Sequence, residues 1–444
     1  MSTDHITILG GGPAGLATAY YASKRKIPFA LYEARQRTGG NAVTIQHRDF
    51  RFDSGAHRFH DKDPEITAEV RRLLGDQLVE ISAPSHIYHR GNLIDFPLSP
   101  RSLLRSLALP MLLRVAGELI ATRLRRRAVA QNFEDASVGM YGPTIARQFL
   151  LNYSQKVWGV PCQRLSVKIS GGRLRELSAW MLLREMLFGN QAGSPHLEGR
   201  FYYPKMGYGA IVDALAEACG PDNIHTASPV QAIHHSGARI DSITVRGDAP
   251  IPVGQVVSTI PLPLFISALD PAAPEEILTL AQGLRFRHLV VVALFLDQDR
   301  ATNSASLYFP DHQLPFTRIY EPIQRSRFMA PAGKTSLCVE YPCFSTDRIW
   351  SQDGDELVRS TSMHLERLGL SKRTNVIEGH VVRLSNAYPV LEAGIEQRME
   401  RLLGYLTQFS NLSTIGRSGR FVYAHVHDML RFGLDVVNDL AGGP

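Results

Sequence analysis

Cysteine is scarce: the 444 residues hold four, Cys162, Cys219, Cys338 and Cys343, and no C-x-x-C pair. That excludes a disulfide framework, argues against a zinc site and fits a reducing compartment. Charge is also sparse, at 20% of residues against 44% hydrophobic, which excludes intrinsic disorder and collagen-like sequence. No apolar run suffices to span a bilayer. The best, Leu107 to Ala121, is broken by Pro110, Arg114 and Glu118 and falls short of about 20 residues. No charged and apolar leader fits ahead of a strand that starts by Ile6, so no secretory signal is expected and the chain is placed in the cytoplasm. Internal repeats and low-complexity tracts are missing, which excludes solenoids. Lysine supplies only eight of 48 basic residues, the rest being arginine; against 42 acids the net charge is +6. Such an excess suggests anionic ligands or surfaces and does not by itself imply nucleic acid.

The length allows two or three units, each able to bury a core. The first forty residues read as strand, glycine turn, helix, strand: His5 to Leu9, Gly10 to Gly12, Pro13 to about Arg25, Phe29 to Tyr32. From Asp63 to Gln191 the spacing predicts mostly helix, in Ile66 to Leu74, Arg101 to Arg127, Phe133 to Tyr153 and Leu174 to Phe188. A second α/β region has a helix at Gly209 to Cys219 and strands near Ser228 to Ile233, Ile240 to Val245 and Gln255 to Ile260. Strands dominate His288 to Tyr341, and helices are expected around Asp355 to Leu368, Ala393 to Phe409 and Met429 to Leu440. The expected division is a discontinuous nucleotide-binding lobe (1–62, 200–268 and 410–444), a helical region (63–199) and a sheet-containing substrate lobe (269–409).

Gly10, Gly12 and Gly15 form G-x-G-x-x-G between a strand and a helix, with Pro13 and Ala14 opening that helix. The first glycine permits the turn, the second admits a pyrophosphate and the third lets helix pack on strand. The helix N-terminus then faces the phosphates. Glu33 ends the second strand, where a carboxylate accepts ribose hydroxyls. Ala34 and Arg35 follow it, and the pair Gly39-Gly40, then Asn41, lies just beyond, an arrangement that points to FAD rather than a nicotinamide cofactor.

Further segments carry a resemblance. Phe52 to His60 includes His57 and His60; Asn152 to Gly159 includes Tyr153 and Trp158; Phe201 to Gly209 includes Pro204, Lys205 and Tyr208. Tyr388-Pro389-Val390, Gly416-Arg417, Phe421-Val422-Tyr423 and Asp428-Met429 follow in order. Together these resemble the flavoprotein superfamily of amine oxidases, protoporphyrinogen oxidase and UDP-galactopyranose mutase, and resemble the mutases in particular. The resemblance covers most of the chain. It implies an α/β fold with an FAD-binding Rossmann-like lobe of the glutathione-reductase type and an interleaved α+β substrate lobe holding a helical insertion. It implies FAD contacts from Val230, Gly416, Asp428 and Met429, besides the glycine turns.

For substrate it implies a sugar diphosphate, free or lipid-linked, lined by Tyr153, Trp158, Tyr208 and an arginine at or near Arg173. His57, His60, Arg417, Tyr388 and Tyr423 would act at the reacting end, where a guanidinium and two phenols suit a diphosphate. The expected activity is redox-neutral flavin N5 chemistry in glycan biosynthesis; the alternative is net oxidation of a small or lipid-like substrate. Plainer readings stand beside these. The histidines could be a buried hydrogen-bonding pair or half a metal site, although no third ligand is evident. Tyr153 and Trp158 could be core aromatics, and Arg417 a surface arginine beside packed tyrosines. Arg123, Arg125, Arg126 and Arg127 close an apolar helix: either a solvated helix end or a peripheral contact with anionic lipid at the inner membrane surface.

Overall fold

The computed structural model describes residues 5–96, 98, 100–124, 129–170 and 200–442. The strand Ile6–Leu9 is buried on both faces, as its unbroken apolar run requires. It lies at the centre of a five-stranded parallel sheet in the order Leu412–Thr414, Gln255–Ser258, Ile6–Leu9, Phe29–Tyr32, Ile224–His225. One sheet thus draws strands from three distant stretches of chain. The helix Pro13–Lys24 covers it and is itself covered by the helix Val426–Leu440. The contact is close because residue 433 is glycine: a Cβ there would lie 2.5 Å from Ala17 Cβ.

The second large sheet has seven strands, ordered Val376–Pro389, Phe286–Leu296, Thr335–Cys343, Arg318–Tyr320, Ser306–Tyr308, Ser85–His89, Asn92–Phe96. Phe286–Leu296 is buried almost throughout and carries the core of this lobe. The result is the mixed α/β fold expected. All four cysteines are buried free thiols.

Three expectations need correction. The region from Asp63 is helical over most of its described residues, but it also holds three strands that were not anticipated, Leu78–Ser82, Ser85–His89 and Asn92–Phe96. Their apolar residues are too few for a helical face, and they are stabilised by distant partners, Arg200–Pro204 and Ser306–Tyr308. The expected helix Arg101 to Arg127 is two helices, Pro100–Ser106 and Leu109–Leu124, while residues 125–128 lie outside the described set. Phe133 to Tyr153 is also interrupted. Gly142, at φ 75°, and Pro143 break the first helix, and a wide turn over Ala146–Leu151 leads into Asn152–Trp158. The expected helix Leu174 to Phe188 lies outside the described residues. No helix among them is long and apolar enough to cross a membrane.

The long strand Val376–Pro389 was not anticipated. It pairs antiparallel with Phe286–Leu296, and its register slips between the pairs Leu289/Leu384 and Arg287/Tyr388. That irregularity, with Asn386 at φ 53°, turns Ser385, Asn386, Ala387 and Tyr388 into the cleft between the two sheets. Bulges commonly re-aim side chains beside a site in this way.

Candidate active site

The strand Ile6–Leu9 ends in a turn in which Gly10 has φ 99°. Thr259 Oγ1 donates to the carbonyls of Leu9 and Gly10 at 3.0 and 3.1 Å, fixing the turn to the neighbouring strand. At Gly15 a Cβ would lie 1.9 Å from the Gly10 carbonyl oxygen; at Gly12 it would meet nothing within 4 Å. The third glycine is therefore needed by the fold, and the second leaves a space open. No side chain caps the helix Pro13–Lys24, so its first-turn amides face that space.

Glu33 accepts from the backbone N–H of Gly11 at 2.7 Å and of Arg35 at 2.9 Å. Two accepted bonds leave lone pairs on the carboxylate for a hydroxyl ligand. Gly39 N–H donates to the Gly11 carbonyl at 2.7 Å, tying the second glycine pair to the first turn.

From this turn a cavity of about 780 Å³ runs into the space between the sheets. Its wall also carries Arg417, Tyr388, Tyr423, Tyr308, Arg318, Phe96, His57 and Tyr208. Tyr208 stacks on His57, centroids 4.9 Å apart and planes 22° apart. His57 Nε2 lies 3.1 Å from the Asn41 carbonyl. Burial, reinforced by the charges of Arg417, Arg318 and Arg325, pushes its pKa down to about 3. The imidazole is therefore neutral near pH 7, and Nε2 donates to that carbonyl.

A stability effect follows. The unfolded chain binds a proton near the ordinary histidine value of 6.5, which the folded chain refuses until about pH 3. Stability thus falls as pH drops through that window. Urea titrations of wild type and His57→Gln at pH 7, 5.5 and 4.5 should show a loss from this group that the variant lacks.

Burial pushes the Tyr388 phenol up to about 12, so it stays a neutral O–H donor. Trp158 meets Tyr388 and Tyr423 edge-on at 6.1 and 5.8 Å. Tyr153 meets Tyr308 the same way at 5.6 Å. These two aromatics stand behind the tyrosines of the wall rather than on it.

Arg417 Nε donates to the Ala424 carbonyl at 3.0 Å, and Nη1 to that of Ala387 at 3.1 Å. Its guanidinium carbon is 6.0 and 5.7 Å from the ring centroids of Tyr388 and Tyr423. The bulged strand and the Gly416 segment thus hold one cation between two phenols. Arg318 forms a two-toothed pair with Glu340, both bonds 2.8 Å, and Glu340 also accepts from Ala56 N–H at 2.9 Å. This links the large sheet to the segment carrying His57.

The cavity wall brings together Gly10, Gly12, Pro13, Ala14, Glu33, Ala34, Arg35, Gly40, Asn41, His57, His60, Tyr208, Val230, Tyr388, Gly416, Arg417, Tyr423 and Met429. It does not include Gly15 and Gly39, which act through close backbone packing, or Asp428. The Asp428 carboxylate accepts from His425 N–H at 2.7 Å and caps the final helix instead. Arg173 lies outside the described residues. Sequence reading missed Phe96, Lys62, Tyr308, Arg318, Ser385 and Asn386 on the wall. Only Asn386, a turn-former just before Ala-Tyr-Pro, carried a local signal. Among the described residues no cluster of three or more His, Cys, Asp or Glu could hold a metal ion.

The pattern for flavin containing amine oxidoreductases matches residues 13–401. The chain belongs to that family. Its cofactor is FAD, and the residues present fit it: open space at Gly12, uncapped helix amides and a carboxylate with free lone pairs. Among curated relatives, the chloroplastic protoporphyrinogen oxidase of Nicotiana tabacum is 25% identical over 38% of this chain and 32% of its own. Protoporphyrinogen oxidase 1 of Arabidopsis thaliana is 34% identical over 21% and 19%. The chain thus spans a third or less of the length of these relatives. Among solved structures, a reduced UDP-galactopyranose mutase superposes with TM-score 0.85 at 19% identity, covering 99% of this chain and 96% of that one. A protein described as a putative protoporphyrinogen oxidase from Exiguobacterium sp. 255-15 gives 0.79 at 18%, with 99% of each covered. Cyclohexylamine oxidase from Brevibacterium oxydans gives 0.68 at 14%, with 98% of each covered. At such identities these structures share the fold.

Proposed function

We propose that this FAD-dependent enzyme acts on a sugar carrying a diphosphate, by redox-neutral chemistry like that of the mutase. The observation that carries the reading is the charge of the cavity wall. Arg35, Arg58, Lys62 and Arg417 line it, beside Arg318 whose charge is paired with Glu340 behind the wall, and among the described lining residues Glu33, at the nucleotide end, is the one carboxylate. A site for a cationic amine would place a carboxylate near the reacting end; this one places Arg417 between Tyr388 and Tyr423. A guanidinium supplies a charge-assisted fork and phenols add O–H donors without charge, which suits a diphosphate.

Reduced FAD, when bound, supplies a nucleophilic N5 to the sugar. Arg417 and the tyrosine hydroxyls hold the diphosphate through departure and return of the sugar. Trp158 and Tyr153 keep the wall tyrosines in place, and neutral His57 sets the position of Tyr208 without donating a proton to substrate.

Arg417→Ala should weaken nucleotide-sugar binding about 100-fold, the loss of roughly 2–3 kcal/mol of charge-assisted bonds. FAD content and melting temperature are measured alongside, because Arg417 also joins two backbone segments. Unchanged affinity in a flavin-loaded variant overturns the diphosphate role. Anaerobic incubation with UDP-sugars should give a ring isomer only after dithionite reduction. Oxygen uptake on a cyclic tetrapyrrole or polyene instead would favour net oxidation, a reading supported by Phe96 and Tyr308 on the wall.

A further inference from the structure

The helix Leu109–Leu124 packs one side against Phe133–Ile145, burying Val115 and Leu119. Its opposite side leaves Leu109, Leu113 and Ile120 exposed, at 68, 67 and 55%. At 3.6 residues per turn these three lie within about 40° of one another around the axis. Val129, just beyond, is 93% exposed; elsewhere among the described residues exposed apolar side chains are scattered.

The charge of this stretch completes the picture. Residues 97–131 contain seven arginines and one acid, leaving 41 basic and 41 acidic residues in the rest of the chain. The whole net charge of +6 therefore lies here. The one acid, Glu118, is turned inward: Oε2 accepts from Thr144 N–H and Oε1 from Thr144 Oγ1, both at 2.8 Å, and Arg114 donates to Oε1 at 3.0 Å. No exposed carboxylate of the helix opposes an anionic surface, while Arg105 and Arg114 are exposed.

We propose that this face docks on the surface of an anionic lipid bilayer, with Leu109, Leu113 and Ile120 entering the headgroup boundary and the arginine-rich composition of the stretch supplying the attraction to lipid phosphates. An in-plane amphipathic helix with a basic excess is what such a surface binds. The site leads to the cavity by a short path, since the strand Asn92–Phe96 ends at the cavity wall and the helical segment begins at Pro100. The inference does not depend on the substrate assigned above.

The test is co-sedimentation of the full-length, FAD-loaded chain with vesicles of phosphatidylglycerol and phosphatidylcholine, or of phosphatidylcholine alone. Binding is expected to the anionic vesicles at 50 mM salt, at least ten-fold weaker at 0.5 M and with neutral vesicles. Leu113→Asp combined with Ile120→Asp should weaken it at least ten-fold further, with FAD content and melting temperature unchanged. Failure to sediment with anionic vesicles, or equal sedimentation of the double variant, overturns the proposal. So does a concentration-dependent dimer that the double variant abolishes, which makes the face a self-contact. A clear fall in its melting temperature also overturns it, by showing that the chain itself covers the face.

Discussion

Gly15→Ala is expected to purify without flavin. The added methyl would sit 1.9 Å from the Gly10 carbonyl oxygen, a backbone atom that cannot rotate away, so the helix Pro13–Lys24 must retreat from its strand. Overpacking of this kind costs about 1–3 kcal/mol, and here the strain falls on the phosphate turn itself. FAD affinity should fall at least 100-fold, and the apoprotein should melt earlier. Gly12→Ala is the control: its methyl meets no protein atom within 4 Å, so the apoprotein should melt as wild type while FAD binding falls. Absorbance titration with FAD and melting of both apoproteins check this pair. Wild-type FAD affinity in Gly15→Ala would mean that the turn does not bear the cofactor.

Asp53→Ala should be the most destabilising change at a single side chain near the site. Asp53 is 1% exposed and accepts from Tyr203 Oη at 2.6 Å, Thr44 Oγ1 at 2.7 Å and Tyr208 N–H at 2.9 Å, while Tyr320 donates to its carbonyl. Removing the carboxylate leaves three donors without an acceptor, at about 1–3 kcal/mol each when buried and less than additive together. A loss of about 3–5 kcal/mol is expected in urea unfolding. Asp53→Asn should lose less than about 2 kcal/mol, because one amide oxygen still serves Thr44 and Tyr208 and the NH₂ can donate to the Tyr203 hydroxyl oxygen. Tyr208 stacks on His57, so the alanine variant should also loosen the cavity wall and lower FAD affinity. If both variants unfold at the wild-type midpoint, the carboxylate is not the anchor described.

The parts legible in the sequence were those whose cause is local. The turn Gly10–Gly15 declares itself because three glycines at fixed spacing follow one apolar run. The ordered set Tyr388, Arg417 and Tyr423 does so through resemblance. Arg318 was invisible because its role arises from pairing with Glu340 across two strands and from the reach of Glu340 to Ala56. The strand Val376–Pro389 was hidden for a related reason. It lies at a sheet edge, half exposed, so its composition satisfies neither an alternating nor a continuous apolar pattern. Asp428 was expected at the flavin through the resemblance of Asp428-Met429 to the mutases; its carboxylate accepts from the His425 N–H and caps the final helix.

The order of assembly is a consequence of the sheet drawn from three stretches. The glycine turn leaves the ribosome about 400 residues before the strand Leu412–Thr414, the Gly416 wall and the helix lying on Ala17. At about 5–20 residues per second, the nascent turn waits on the order of 20–80 s for these partners. Throughout that interval the apolar strand Ile6–Leu9 has no complete sheet around it. A complete cofactor cradle therefore exists in this chain only after those distant segments have been made and packed against the turn.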